Sequence, residues 1–287
     1  MITINCFSPT FSRMPCSVAF QKSKYVQYVW ERMDWSGITF FTDGLINDDR
    51  LVGMVNSPIK IGWLREPNCL YPEVYEASLN HVDNFAFVMT YDNDLIGSYS
   101  GKYRYVPYGG VWIDRKEWGI KPKTKNLSML FGEKMATNGH RLRHEIYEHI
   151  GYRYGIEYYG KYGTPTNYSA ETKLMVHQDY RFSIVTETCR EDGLFTEILL
   201  DCFAAGTIPI FWGAPDIDKY FDGRGIYSFQ DVGDLEHLLK TIAFDGEDIY
   251  NERLPYIENN LKMVDEYAVT EDWLFNAYIK HLPTVAR

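Results

Sequence analysis

Short β-type runs alternate with helical patterns from one end of the chain to the other, and no other feature constrains the fold as strongly. A first series comprises "ITINCFS", "KYVQYVWERM", "GITFFTDG", "IKIGWLRE", "PEVYEASLNHV" and "FAFVMTYD". A second comprises "NLSMLFGE", "HRLRHEIYEHIG", "GIEYYGKYG", "FSIVTET", a helix from about Phe195 to Ala205, "TIPIFWG" and "GIYSF". Such alternation builds βαβ units around mostly parallel sheets. With 287 residues, 45% of them hydrophobic, the chain can fill two such cores, so an α/β class with two domains in tandem is expected. The break is placed in "DRKEWGIKPKTKN", residues 114–126, which is charged and carries Gly and Pro. That gives a first domain over 1–118 and a second over 119–287, whose pattern is helical after Asp231. Two facing α/β domains gather strand C-termini and helix N-termini around a central cleft, the expected ligand site.

Charge narrows the partners. Lys plus Arg number 29 against 39 Asp plus Glu, a formal net charge of −10, which is the wrong sign for a general nucleic-acid binder. The five cysteines, Cys6, Cys16, Cys69, Cys189 and Cys202, are odd in number and lack C-x-x-C spacing, as expected of free thiols in a reducing compartment. No basic n-region precedes an apolar segment, and nowhere do ~18 apolar residues run together. A cytoplasmic protein with no signal peptide and no membrane span is expected.

The stretch "CREDGLFTEILLDCFAAGTIPIFWGAP", residues 189–215, joins an acidic loop, an apolar helix, a glycine stop and a β run. Gly206 stands where a helix C′ residue needs the left-handed conformation. Thr196 and Glu197 lie in the first turn, where unpaired N–H groups and the positive dipole end favour an anion. Glu197 is either simply that anion or an acceptor for a ribose diol beside a diphosphate. The tract "YGIEYYGKYGTPTNYS", residues 154–169, offers rings to stack on a base or sugar, although Tyr is also an ordinary strand residue. Acidic pairs in "YDND", ending at Asp94, and in Asp216-Ile217-Asp218 match the D-x-D metal pattern of metal-dependent GT-A transferases. His140 and His144, four apart on a helix, lack an obvious third ligand, so packing is the expected role.

"YRFSIVTETCREDGLFTEILLDCFAAGTIPIFWGAP", Tyr180 to Pro215, resembles the signature of the α-1,3-fucosyltransferase family, glycosyltransferase family 10, over an ungapped stretch. "RLRHEIYEHI" (141–150) resembles its R-x-R helix, and "MTYDND" (89–94) and "VPYG" (106–109) resemble its M-[ST]-Y and V-P-Y-G segments. "WLREP" (63–67) resembles its W-x-x-x-E-S-P element, one residue shorter. The matches run in family order from about Trp63 to Phe221. The resemblance implies the GT-B fold of two Rossmann-like domains, acceptor on the first and GDP-fucose on the second, with inverting transfer and no cofactor or metal required. The implied partners are a nucleotide-sugar donor and a glycan acceptor.

The same matching implies residue roles. Glu66 would be the general base toward the acceptor hydroxyl, the alternative being a loop carboxylate held by Arg65. Arg143 would bind the leaving diphosphate, with Arg141 as the register alternative. Glu197 would bind ribose, Glu187 and Thr188 would lie by the donor sugar and its phosphate, and Phe195 would line the pocket beside Thr196. The chain departs from the family in carrying Thr188 for the asparagine of F-E-N and Ile198 for the lysine of T-E-K. The second loses a phosphate cation, for which Arg190 or Lys134 could substitute. These departures leave open another nucleotide-sugar donor or a non-catalytic sugar-binding protein.

Overall fold

The computed structural model describes residues 1–11, 15–18, 21–98, 101–167 and 169–283. Tyr168, inside the Tyr and Gly tract, therefore lies outside the described residues. The chain divides into two compact units, Met1–Tyr108 with Val269–Arg287, and Gly109–Ala268.

The first unit holds β1 (Ile2–Phe7), β2 (Val26–Trp30), β3 (Ile38–Thr42), α1 (Asp49–Met54), β4 (Ile59–Trp63), α2 (Pro72–Ser78), β5 (Val88–Thr90), α3 (Asn93–Ser98) and β6 (Tyr103–Tyr105). Its six strands form one sheet in the order β2-β1-β3-β4-β5-β6, and every pairing is parallel. A parallel strand is covered on both faces, so an inner one reads as continuous apolar or β-branched residues. All five residues of β3, "ITFFT", are buried. The core gathers Ile4, Phe40, Ile61, Trp63, Phe87 and Met89.

The second unit holds β7 (Lys125–Phe131), α4 (Asn138–Ile150), β8 (Ile156–Gly160), α5 (Ala170–His177), β9 (Tyr180–Thr186), α6 (Glu197–Ala204), β10 (Ile208–Trp212), β11 (Tyr227–Ser228) and α7 (Val232–Tyr267). Its five strands run β11-β10-β9-β7-β8, again all parallel. Gly206 ends α6 with φ +66°, as a C′ glycine should, and Tyr250 Oη donates to its carbonyl at 2.7 Å. Helix α8 (Thr270–Ala277) follows α7 in sequence, but its Leu274 is part of the first unit's core.

The division by compactness moves both edges of the sequence-based domains. Residues 109–118 go with the second unit because Trp112 and Ile113 donate their backbone N–H groups to Asp201 on α6, at 2.8 and 3.0 Å. Residues 269–287 go with the first, where Phe275 stacks on Tyr25 with ring centres 4.6 Å apart. Among the described residues no helix is long and apolar enough to cross a membrane. Cys6, Cys16 and Cys202 are free and buried, whereas Cys69 and Cys189 are disulfide-bonded, which corrects the expectation of five free thiols.

Candidate active site

In the second unit the candidate residues gather where β9 ends. The strand delivers Glu187 into a fully buried position, and both carboxylate oxygens go to one residue: Thr196 N donates to Oε1 and Thr196 Oγ1 to Oε2, each at 2.8 Å. Thr196 is in turn the N-cap of α6, accepting from Ile198 N at 3.3 Å. Space for the Glu187 side chain comes from Gly213, where a Cβ would stand 2.7 Å from Glu187 Cγ and 2.2 Å from the Phe211 ring. Burial pushes Glu187 up to about 7, while the hydrogen bonds from Thr196 and the charge of Arg143 pull the other way. Glu187 thus faces inward and seats the first turn of α6, whereas the sequence had placed it beside the donor sugar.

Helix α4 brings its N-terminus onto the same strand end. Gly139 N donates to Thr188 O at 3.1 Å, and a Cβ on Gly139 would lie 1.9 Å from Glu187 O, so only glycine permits this approach. Four positions on, the half-buried Arg143 donates from Nε to Thr186 Oγ1 at 2.7 Å and from Nη2 to Thr186 O. Arg141 is exposed and turns back to the carbonyls of Met135 and Ala136 at 3.2 Å. The two arginines therefore separate: Arg143 is fixed at the end of β9, and Arg141 caps the turn before its own helix.

The remaining candidates divide by burial. Glu197 is partly exposed and pairs with Lys173 of α5, Nζ to Oε1 3.5 Å. Thr188 is partly exposed and Arg190 exposed. Phe195 has no accessible surface; it sits in a ring cluster with Tyr220, Phe221 and Tyr267 at 5.0, 5.3 and 5.1 Å. It anchors the loop before α6 and does not line an open pocket. Asp216 closes that loop from below, accepting from Gly193 N at 2.8 Å.

In the first unit the three family-like segments meet. A small hollow is lined by Trp63, Leu64 and Arg65 of the first segment, Tyr91 of the second, and Val106, Pro107 and Tyr108 of the third. Tyr91 Oη accepts from Asn68 N at 2.8 Å, tying the loop after β4 to the loop after β5. Glu66 follows β4 and is half-buried; its N–H donates to Asp43 Oδ1 at 3.0 Å and its carbonyl accepts from Tyr75 Oη at 2.8 Å. Asp43 also accepts from Arg65 N at 2.8 Å and from Thr10 Oγ1 at 2.7 Å, and adopts a positive φ of 50°, which Asp tolerates better than most residues. The Arg65 guanidinium is buried, bonded to Thr10 Oγ1 and Ser17 O and lying over the rings of Phe11 and Trp63.

In each of the metal-like acidic pairs one carboxylate is engaged by protein donors. Asp92 Oδ1 accepts from Asp94 N and Leu95 N at 3.0 Å, starting α3, and Asp216 pairs with Lys219 at 3.3 Å. His140 Nδ1 meets Thr137 Oγ1 at 3.0 Å; burial, reinforced by Arg143, lowers it to about 4, so it stays neutral. His144 meets Lys134 O at 3.3 Å and packs edge-on against Phe131. In the Tyr tract, Tyr162 stacks on Tyr147 of α4 at 4.5 Å. Sequence reasoning missed Asp43, Lys173 and Asp201. A lysine within a helix ordinarily signals a solvated face, and an aspartate after a strand a loop.

Residues 120–256 match the family model described as glycosyltransferase family 10 (fucosyltransferase) C-term. The α-(1,3)-fucosyltransferase FucT of Helicobacter pylori is 23% identical over 126 residues, 44% of this chain; the match spans 26% of that protein's length. The crystal structure of an α1,3-fucosyltransferase with GDP-fucose superposes with a TM-score of 0.55 at 15% identity, covering 90% of this chain and 82% of that one. HepE of Anabaena, in complex with UDP, superposes with a TM-score of 0.62 at 8% identity over 98% of this chain and 100% of that one. The chain thus has the two-sheet α/β fold of the GT-B glycosyltransferases, and its residues 120–256 are similar to the C-terminal part of glycosyltransferase family 10, the fucosyltransferases.

Proposed function

We propose that the protein is an inverting glycosyltransferase that moves fucose from GDP-fucose to a hydroxyl of a glycan acceptor. The observation that carries this reading is the convergence of Arg143, Thr186, Glu187, Thr196 and Glu197 on the end of β9, inside the family-10 segment. Arg143 is the cation for the diphosphate, pre-oriented by Thr186, and its charge stabilises the leaving group as negative charge grows there. The first-turn N–H groups of α6 add a positive dipole end, and Glu197 accepts from the ribose hydroxyls. Glu66, on the first unit, removes the acceptor proton as its oxygen attacks the anomeric carbon opposite the departing diphosphate. The acceptor is assigned to the first unit, and the nucleotide to the second.

Thermal unfolding with GDP, UDP, CDP, ADP and dTDP at about 1 mM, with and without EDTA, tests the donor. GDP alone should raise the midpoint, and EDTA should leave that shift unchanged. A shift with UDP in place of GDP would discard the guanine donor and keep the transferase. No shift with any of them would favour the non-catalytic reading that Thr188 and Ile198 suggest. Turnover of GDP-fucose, with the product anomer assigned by NMR, tests fucose and inversion.

A further inference from the structure

Lys173 is a lysine in a place where lysines are rarely found. Its side chain on α5 is 5% exposed, and its ammonium lies between two carboxylates of α6: 3.5 Å from Glu197 Oε1 and 3.7 Å from Asp201 Oδ2. The face of Trp112 covers it at 5.0 Å. Asp201 has no accessible surface and uses Oδ1 for the N–H groups of Trp112 and Ile113. Its Oδ2, among the described residues, receives no hydrogen bond. A buried cation with two anionic neighbours is retained at a cost, because desolvating three charges is expensive. Asp201 is fixed by the backbone it caps, whereas Glu197 is 16% exposed at its side chain and is the one member that reaches solvent.

We propose that Lys173 is a positioning residue for the sugar nucleotide: held by Asp201 and Trp112, it fixes the Glu197 carboxylate in the orientation that accepts the ribose diol. This rests on the ribose role given to Glu197 above. Carboxylate Oε1 is turned toward Lys173, leaving the lone pairs of Oε2 to the ligand. Lys173 is too buried to reach a phosphate, so it acts only through Glu197.

The test is the affinity ratio of GDP to 2′,3′-dideoxy-GDP, measured by calorimetry on the full chain. The wild type should prefer GDP by about tenfold to a hundredfold, the size of a hydrogen bond to a charged group. Lys173→Met leaves Asp201 buried and unpaired and can cost folding, so Lys173→Met/Asp201→Asn, which removes both charges, is measured alongside. The ratio should fall severalfold in that double variant, with dideoxy-GDP affinity held, and fall near one in Glu197→Gln. A full ratio in the double variant but not in Glu197→Gln would overturn the role of Lys173 and leave the ribose reading standing. A full ratio in Glu197→Gln would remove the ribose reading and this inference with it.

Discussion

Glu187 gives both of its carboxylate oxygens to Thr196, one to the backbone N–H and one to the hydroxyl, each at 2.8 Å. A strand end and a helix start are thereby locked through one fully buried acid. Its carboxyl, raised to about 7 by burial, lies above the ordinary carboxyl value. In the window between the two, the folded chain holds a proton that the unfolded chain has released. Stability on this group's account is therefore present below about pH 5 and is lost as pH rises through 7, by about 3 kcal/mol in all. Glu187→Gln should flatten that slope. Equal slopes of melting temperature against pH in the two proteins would refute it.

The two arginines of α4 should behave oppositely. Arg143→Lys removes the two-donor grip on Thr186 and should weaken GDP binding by about tenfold to a hundredfold. Arg141→Ala should change it by less than about threefold, since that side chain serves the turn at Met135 and Ala136. Titration calorimetry on both variants decides between them, and a larger loss at Arg141 would reverse the assignment.

Glu66→Gln keeps the backbone bonds to Asp43 and Tyr75, which use only main-chain atoms of residue 66. Turnover of GDP-fucose should fall by about 10²–10⁴-fold, with GDP affinity on the second unit unchanged. Retained turnover would remove Glu66 from the chemistry.

Gly139→Ala should be among the most damaging methyl additions in the chain, because its Cβ would meet two backbone oxygens, of Glu187 and Thr188, at 1.9 and 2.8 Å. Overpacking against immovable backbone costs about 3 kcal/mol, or roughly 5–10 °C in Tm. Gly53→Ala, in the exposed part of α1 with no atom within 4 Å, should instead stabilise by about 0.5–1 kcal/mol. Calorimetric melting of the pair checks both signs.

What could be read from residues alone follows from where the energy is local. The buried strands β3 and β9 read correctly because parallel strands covered on both sides carry an unbroken apolar run. Gly206 read correctly because a helix stop is a backbone property of one residue. The choice between Arg141 and Arg143 was not local. The two differ by about 200° around the helix, and only the packing of Gly139 on β9 decides which one faces it. Lys173 was invisible for a similar reason: its burial depends on Glu197 and Asp201, a whole βα unit later. Phe195, placed at a pocket by its match, is drawn inward by three rings from distant segments.

Because α8 contributes Leu274 to the core built around β1, β3 and β4, the N-terminal sheet and its last helix are separated by the entire second unit. On a ribosome adding about 5–20 residues per second, the first sheet waits on the order of ten seconds with an apolar seam uncovered. The second unit, made of one continuous segment, has no such delay. Nascent chains that end at Ala268 and are extended by a linker long enough to clear the ribosome should therefore resist protease across residues 109–268 while the older, N-terminal part remains open to it.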